Sequence, residues 1–450
     1  MPPTAPRVDN SQQPAAPAAG DIESERDSMK ASRLMRPILE ITRYARNSQS
    51  CLTACVCLFT VFLVSAVAEN EEEKASVMQV KDGILLLHGQ PYRGIGVNYF
   101  NAFQRRLKHP EDTSYREGFQ VLARYEIPFI RFMAGGFWPY EWELYKTDRE
   151  AYFALMDDVI NAAAEAGLGL IPSVFWWYPC VPDLAGEPIN AWGKADSETH
   201  AFMRQYVEEL VGRYRNHPAV WVWELGNEYN LASDLPNAMD HLPWARAERG
   251  TPASRGADDV LTGEALIVAM TAFGNAVRRL DPTRPITSGH AILRPSAFHQ
   301  RKELTWKRDT REEHIHEMLV MHPDPMDILS THLYPEALTG RYFDRDHISY
   351  ADLLEAAMDA SRQSGKPLFV GEFGAPEGDD AAQCAEARKQ FEQLLRAILD
   401  SGAPLAALWV FDYPPQDGEW NVADNNRLAY RLEMIRDANR ASGQPAAKTE

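Results

Sequence analysis

The sequence predicts a closed eight-stranded α/β barrel, and three observations lead there. Short β-rich runs alternate with longer helical patterns eight times over, the signature of parallel strands joined by crossover helices. The strand runs are nearly continuous in apolar residues, as in strands buried on both faces, and Gly or Pro stops mark the joins. A chain of 450 residues suits one large barrel with elaborations, since such barrels run from roughly 200 to more than 400 residues. The rival is an open doubly wound sheet, which would carry a glycine-rich phosphate loop after its first strand. No such loop follows Asn98.

The first 50 residues read as an extension outside the barrel. Residues 1–28 are rich in Pro, Ala, Ser and Asp without apolar periodicity, so they are expected to be disordered. Arg33, Arg36, Arg43 and Arg46 then precede an uncharged run, residues 51–68, that ends Ala66-Val67-Ala68 before Glu69. A basic region, an apolar core and small residues at a cleavage point make a secretory signal. The expectation is export to the periplasm or medium. The alternative is an uncleaved anchor with the barrel outside the membrane.

The barrel is expected over residues 78–440. It opens with a hairpin, Val80 to Leu87, that turns at His88-Gly89 and runs on toward Asn98. The eight strands are expected at Gly94 to Asn98, Pro128 to Met133, Gly167 to Phe175, Val220 to Gly226, Arg284 to Ser288, Asp327 to Leu333, Pro367 to Glu372 and Leu405 to Phe411. Helical spacing of apolar residues appears in Ala151 to Ala166, Glu198 to Tyr214, Gly263 to Leu280, Tyr350 to Ser364 and Cys384 to Ser401. Long connections after the fourth and fifth strands, Tyr229 to Val260 and Gly289 to Met326, fall on the face where barrels place their chemistry and are expected to wall a cleft. The charged stretch Arg301 to Glu313 fits either a functional loop or a solvated one.

A net charge of -18 argues against nucleic acid as a partner, because phosphates would be repelled. Cys180 and Cys384 follow the third and seventh strands, far apart around a barrel, which disfavours a disulfide. His314 and His316, in a presumed loop without a third ligand at suitable spacing, do not make a metal set.

Two glutamates close hydrophobic strands. Trp223-Glu224-Leu225-Gly226-Asn227-Glu228-Tyr229 ends the fourth run, and Leu368-Phe369-Val370-Gly371-Glu372-Phe373-Gly374 ends the seventh. Paired carboxyls across a barrel mouth are what cleavage of a glycosidic bond needs, one donating a proton while the other stays ionised. Arg131 is a charge inside the apolar strand Phe129-Ile130-Arg131-Phe132, and a buried guanidinium must meet a carboxylate. Alternation places Glu224 on the same face as Glu228 but deeper, so a purely structural pair with Glu224 is one reading of that arginine. Asn227 offers an amide to a sugar 2-hydroxyl.

These motifs, in this order, make the chain from Met78 to Arg440 resemble the glycoside hydrolases of clan A, most closely family 5, which holds cellulases and mannanases. The resemblance implies a retaining β-glycoside hydrolase with Glu228 as acid/base and Glu372 as nucleophile. It implies that Arg131 steadies the nucleophile and that His332 and Tyr334 are the family's His-x-Tyr on strand six. Trp409 on the last strand is then the floor under the reacting sugar. Asn98, Trp138 and Trp177 join Arg131, Asn227, His332, Tyr334 and Trp409 as candidate substrate contacts, and Trp176, Tyr178, Trp192 and Trp420 lie in or near loops on the same face. Many cellulases end strand three with histidines, but here it ends Phe175-Trp176-Trp177-Tyr178, a departure that leans toward mannanase-like members. Gly96 to Tyr99 leans the same way. The expected partner is a carbohydrate and no cofactor is implied; a membrane enters only if residues 51–68 are not cleaved. An exo-acting β-glycosidase or transglycosylase would share every catalytic residue, and a non-catalytic carbohydrate-binding barrel is the remaining alternative.

Overall fold

Eight parallel strands pair side by side in a ring. They are β1 (Gly94–Asn98), β2 (Phe129–Met133), β3 (Gly169–Phe175), β4 (Trp223–Gly226), β5 (Ile286–Thr287), β6 (Leu329–Leu333), β7 (Leu368–Phe373) and β8 (Leu405–Leu408). The hydrogen-bonded order runs β5-β4-β3-β2-β1-β8-β7-β6. The two ends meet through a parallel bridge between Thr287 and Ile328, with the Asp327 and Ile328 amides donating to the Ile286 carbonyl at 2.9 and 3.2 Å. This is the expected (β/α)8 barrel. The computed structural model describes residues 77–443, so the expected N-terminal extension and the apolar run 51–68 lie outside the described residues. No described helix is long and apolar enough to cross a membrane.

A major helix follows each strand: α1 (Tyr115–Arg124), α2 (Arg149–Glu165), α3 (Glu198–Tyr214), α4 (Gly263–Leu280), α5 (Arg311–Val320), α6 (Tyr350–Ser364), α7 (Ala381–Ser401) and α8 (Tyr430–Ala441). Their starts are written in the sequence as side-chain caps. Asp148, Ser197 and Thr262 accept from backbone amides of α2, α3 and α4, and Thr310 with Glu313 and Ser349 with Asp352 form capping boxes on α5 and α6. The seventh helix starts at Ala381, earlier than the expected Cys384, because Asp380 accepts from the Ala382 and Gln383 amides at 2.9 Å.

Every residue of the eight strands is buried, which is why their sequences show continuous apolar runs in place of alternation. The fifth strand is shorter than the expected Arg284 to Ser288. Pro285 has no amide to give, and the Arg284 side chain turns to Asp281 and to the carbonyls of Val220 and His217. The fourth begins at Trp223, with Val220 making only an isolated bridge to Leu170. The eighth ends at Leu408, and Trp409 lies just beyond it. From there Val410 and Asp412 bond to Trp420 and Val422 of the following loop, and the Trp409-Val410 peptide is cis. His314 and His316, expected in a loop, lie on α5.

The hairpin Met78–Lys81 with Ile84–Leu87 gains a third short strand, Gln90–Pro91, and closes the bottom of the barrel. Its Met78 and Leu85, with Tyr92, pack on Phe129, Ile171, Trp221, Ile328 and Phe369 from the lower parts of the strands. Each fully buried aliphatic side chain of this plug contributes about 1.5 to 3 kcal/mol. With that end filled, the C-terminal ends of the strands form the accessible mouth.

Candidate active site

Arg131 of β2 organises the mouth. Its side chain is fully buried, and its donors are all directed at carboxylates or amide oxygens. Nε donates to both oxygens of Glu224 on β4, at 2.8 and 3.0 Å. Nη1 donates to Glu372 Oε1 at 2.8 Å and to Asn98 Oδ1 at 3.0 Å, and Nη2 donates to Asn227 Oδ1 at 2.7 Å. The Trp176 ring centroid lies 4.5 Å from the guanidinium carbon. Burial opposes the guanidinium's charge, but Glu224 and Glu372 outweigh it and hold the group firmly protonated. Only a planar fork makes this set of bonds.

Glu372, at the end of β7, also accepts from the Tyr334 hydroxyl at 2.6 Å. Burial raises its carboxyl above the ordinary value and Glu228 adds to that, while His332, Arg131 and Tyr334 pull it back. Glu228 has fewer partners. Its Oε1 lies 2.8 Å from His332 Nδ1, and burial pushes its pKa up to about 7 with Arg131 acting in the opposite sense. His332 is itself buried, which lowers it to about 3 and leaves the ring neutral; its Nδ1 is also 3.5 Å from Glu372 Oε2. The nearest oxygens of Glu228 and Glu372 are within 4.8 Å of each other.

Local backbone conformation delivers these groups. Glu228 adopts the left-handed region, φ 56°, an arrangement that costs a side-chain-bearing residue about 1 to 3 kcal/mol and that the surroundings must enforce. Its amide donates to the Gly289 carbonyl at 2.8 Å, and the Asn227 amide donates to the Trp176 carbonyl at 3.0 Å. Gly289 has φ +75°, and a Cβ there would lie 1.8 Å from the Gly226 carbonyl oxygen, so only glycine lets this loop reach Glu228. Gly371 plays a similar part for His332, since a Cβ would stand 2.8 Å from the ring Nε2.

The remaining sequence candidates divide. Asn98 is fully buried and bonds Arg131 and the Gly371 carbonyl, the latter at 2.9 Å, so its amide is committed to the scaffold. Trp409 stacks on Phe100 at 5.4 Å, and its indole donates to Gln416 at 3.1 Å. Trp192 is buried in the core and donates to the Tyr178 carbonyl. Trp420 packs its edge on Tyr334 at 5.4 Å. Trp138 and Trp177 meet at 4.8 Å in a ring cluster, and Trp177 lines a pocket of about 630 Å³ beside Glu228. Trp244, Trp306 and Phe137 line that pocket too but were not singled out in the sequence. The available signal was a tryptophan in each of the two longest connections.

Two triplets bring possible metal-ligating atoms within 4.8 Å: Glu228, His332 and Glu372, and His299, Asp309 and Glu313. The first already holds the Arg131 guanidinium against Glu372. In the second, Asp309 accepts from the Phe298 and His299 amides and Glu313 caps α5, so these groups tie down the charged stretch Arg301 to Glu313. Arg301 is equally committed, pairing with Glu317 at 2.6 Å. Cys180 and Cys384 are free thiols.

Fold and site together define a (β/α)8 barrel with a glutamate pair held across its mouth. Residues 112–411 match the cellulase family, glycosyl hydrolase family 5, and the chain belongs to that family. It is similar to a probable mannan endo-1,4-beta-mannosidase C of Aspergillus terreus, 27% identical over 139 residues, which is 30% of each chain. It is also similar to the mannan endo-1,4-beta-mannosidase F of Aspergillus clavatus, 38% identical over 82 residues, or 16% of this chain and 18% of that one. The matched segments therefore span less than a third of these relatives' length. Among solved structures, the endo-1,4-beta-mannanase of Rhizomucor miehei aligns over 81% of this chain and 100% of its own with a TM-score of 0.58 at 15% identity, a likeness of fold.

Proposed function

We propose that this protein is a retaining β-glycoside hydrolase acting on β-1,4-linked mannan or a related polysaccharide. The observation that carries the reading is the close, unequal carboxyl pair. Oxygens within 4.8 Å leave no room for the water an inverting enzyme places between carboxyls roughly 6.5 to 9.5 Å apart. Glu372 sits against a permanent cation and a phenol, whereas Glu228 has only a neutral imidazole. A single proton shared by the pair therefore resides on Glu228.

Glu372 attacks the anomeric carbon as Glu228 passes its proton to the departing oxygen. Glu228, now ionised, takes a proton from the water that releases the glycosyl ester. Asn227, oriented by Arg131, presents its amide nitrogen to the sugar 2-hydroxyl, and Trp409 forms the floor beneath the ring. The basic segment and apolar run ahead of the barrel support export of the enzyme to where such polymers occur.

The test is incubation of the protein with mannan, glucomannan, carboxymethyl cellulose and xylan, followed by sizing of the products. Oligomers released from mannan or glucomannan are expected. Release from carboxymethyl cellulose alone would redirect the substrate assignment, and no release from any of the four would favour a binding protein. The pH profile is a second check. Because Glu228 must carry a proton to act as acid, kcat/KM should fall as pH rises through about 7, and it should fall at low pH as Glu372 becomes protonated. If the basic limb persists unchanged in Glu228→Gln on a substrate with an activated leaving group, it belongs to another residue.

A further inference from the structure

We propose a second carbohydrate-binding site, outside the catalytic mouth, in a groove between α1 and the loops that follow β1 and β8. The choice of polysaccharide rests on the hydrolase reading, but the site itself does not. A cavity of about 970 Å³ opens there, lined by Asn101, Arg105 and Asp112 of the β1 loop, by Glu117 and Val121 of α1, and by residues of the β8 loop between Phe411 and Leu428. It shares no residue with the pocket beside Glu228, and none of Arg131, His332, Tyr334, Glu372 or Trp409 lines it.

The lining selects the class of ligand. Asp112, Glu117, Asp412, Asp417 and Asp424 repel an anion. A free cation is not demanded either, because most of these charges are already met within the protein. Asp412 pairs with Arg105 at 3.1 Å and Asp424 with Arg124 at 2.9 Å. Asp112 accepts from the Ser114 amide and hydroxyl at 2.9 and 2.6 Å, and Asp417 accepts from Asn421. Each carboxylate keeps lone pairs for further donors, and the amides of Asn425 and Asn426 add donors beside them. Planar groups of this kind suit neighbouring hydroxyls on a sugar ring. Pro414 and Pro415, both exposed, offer apolar surface to its C–H face.

Two atoms of the lining residues point the same way. Asn101 Oδ1 and Arg105 Nε are buried without a hydrogen-bond partner in the protein, although both side chains reach the Asp412 carbonyl through their other nitrogens, at 3.4 and 3.2 Å. One is an acceptor and the other a donor, and a hydroxyl meets both needs at a single oxygen. The frame is set before a ligand arrives, since Tyr99 also donates to Asp412, so the ordering cost on binding is small. The turn Pro414–Gln416 serves both sides: its prolines line the groove, and Gln416 accepts from the Trp409 indole at 3.1 Å. A chain held in the groove is thereby tethered next to the mouth, which raises the local concentration of polymer without adding a contact to the cleft.

Equilibrium dialysis of labelled mannohexaose against the Glu372→Ala protein counts the sites without cleavage, with cellohexaose and xylohexaose run alongside. Two sites per chain are expected, one in the cleft and one in the groove. Glu117 and Asn425 are exposed on the groove's rim. Replacing both by Ala in that background should weaken the groove about tenfold, the scale of one or two lost hydrogen bonds, and leave the cleft's affinity unchanged. Thermal melting checks that the variant remains folded. Fewer than two sites with every one of the three oligosaccharides, or two sites that both keep their affinity in the variant, would overturn the proposal. Turnover of the polymers by the unmodified protein is read separately, and its absence would overturn the hydrolase reading while leaving the site count intact.

Discussion

Glu372→Ala should abolish turnover, by on the order of a millionfold, the scale on which removal of an attacking group costs an enzyme that works through a covalent intermediate. Glu372 is the only carboxyl at the mouth that accepts from both Arg131 and Tyr334, at 2.8 and 2.6 Å, among the described residues. Those donors would have nothing to hold in the variant. The space left by the carboxylate admits a small anion, so added azide should restore part of the rate on a substrate with an activated leaving group. The product would be a glycosyl azide of inverted configuration, because azide attacks from the side Glu372 occupied. Initial rates and the product's NMR spectrum provide the check. Turnover close to that of the unmodified protein would remove Glu372 from its role.

Arg131→Met should be the most disruptive change to the folded state. It strands Glu224, and beside it Glu372, as buried carboxyls without a counter-charge, which typically costs about 3 to 5 kcal/mol. Burial already raises both carboxyls. Without the guanidinium they rise further, so the folded variant prefers them protonated and its deficit should shrink as pH falls. Urea unfolding at neutral and mildly acidic pH reads both effects. Arg131→Lys keeps the charge but cannot span Glu224, Glu372, Asn98 and Asn227 together, so it should recover some stability while turnover stays low. A stability for Arg131→Met within about 1 kcal/mol of the unmodified protein would mean the ion pairs are no better than an apolar replacement, an outcome known for some buried pairs.

Much of this was legible in the chain. Eight buried strands announced themselves through continuous apolar runs, and the caps at Asp148, Ser197, Thr262, Thr310 and Ser349 are local chemistry that needs no tertiary context. Strand ends were less legible. At β5 and β8 they depend on Pro285, on where Arg284 turns and on the partners of Val410, none of which periodicity encodes. The joint grip of Arg131 on Glu224 and Glu372 was half visible, because a buried arginine demands an acid without saying which. Trp192 shows the opposite limit. Its sequence neighbourhood reads as a loop, yet packing against His200 and Tyr229 places it in the core. Trp244 and Trp306 sit in irregular connections, where no spacing rule distinguishes a ring that meets ligand from one that covers core.

The ring of strands has a seam, and it is not placed at random. Between β5 and β6 the backbone pairing is one bridge and two amides sharing the Ile286 carbonyl, with side-chain bonds of Asp327 and Thr287 beside them, whereas every other join pairs two residues or more. Local opening begins where backbone pairing is sparsest. The residues that continue from β5 are Ser288 and Gly289, and Gly289 carries the carbonyl on which the Glu228 amide hangs. Glu228 is therefore suspended by its amide from the barrel's most sparsely paired join, so fluctuations that barely disturb the fold reach a backbone bond that helps to hold it.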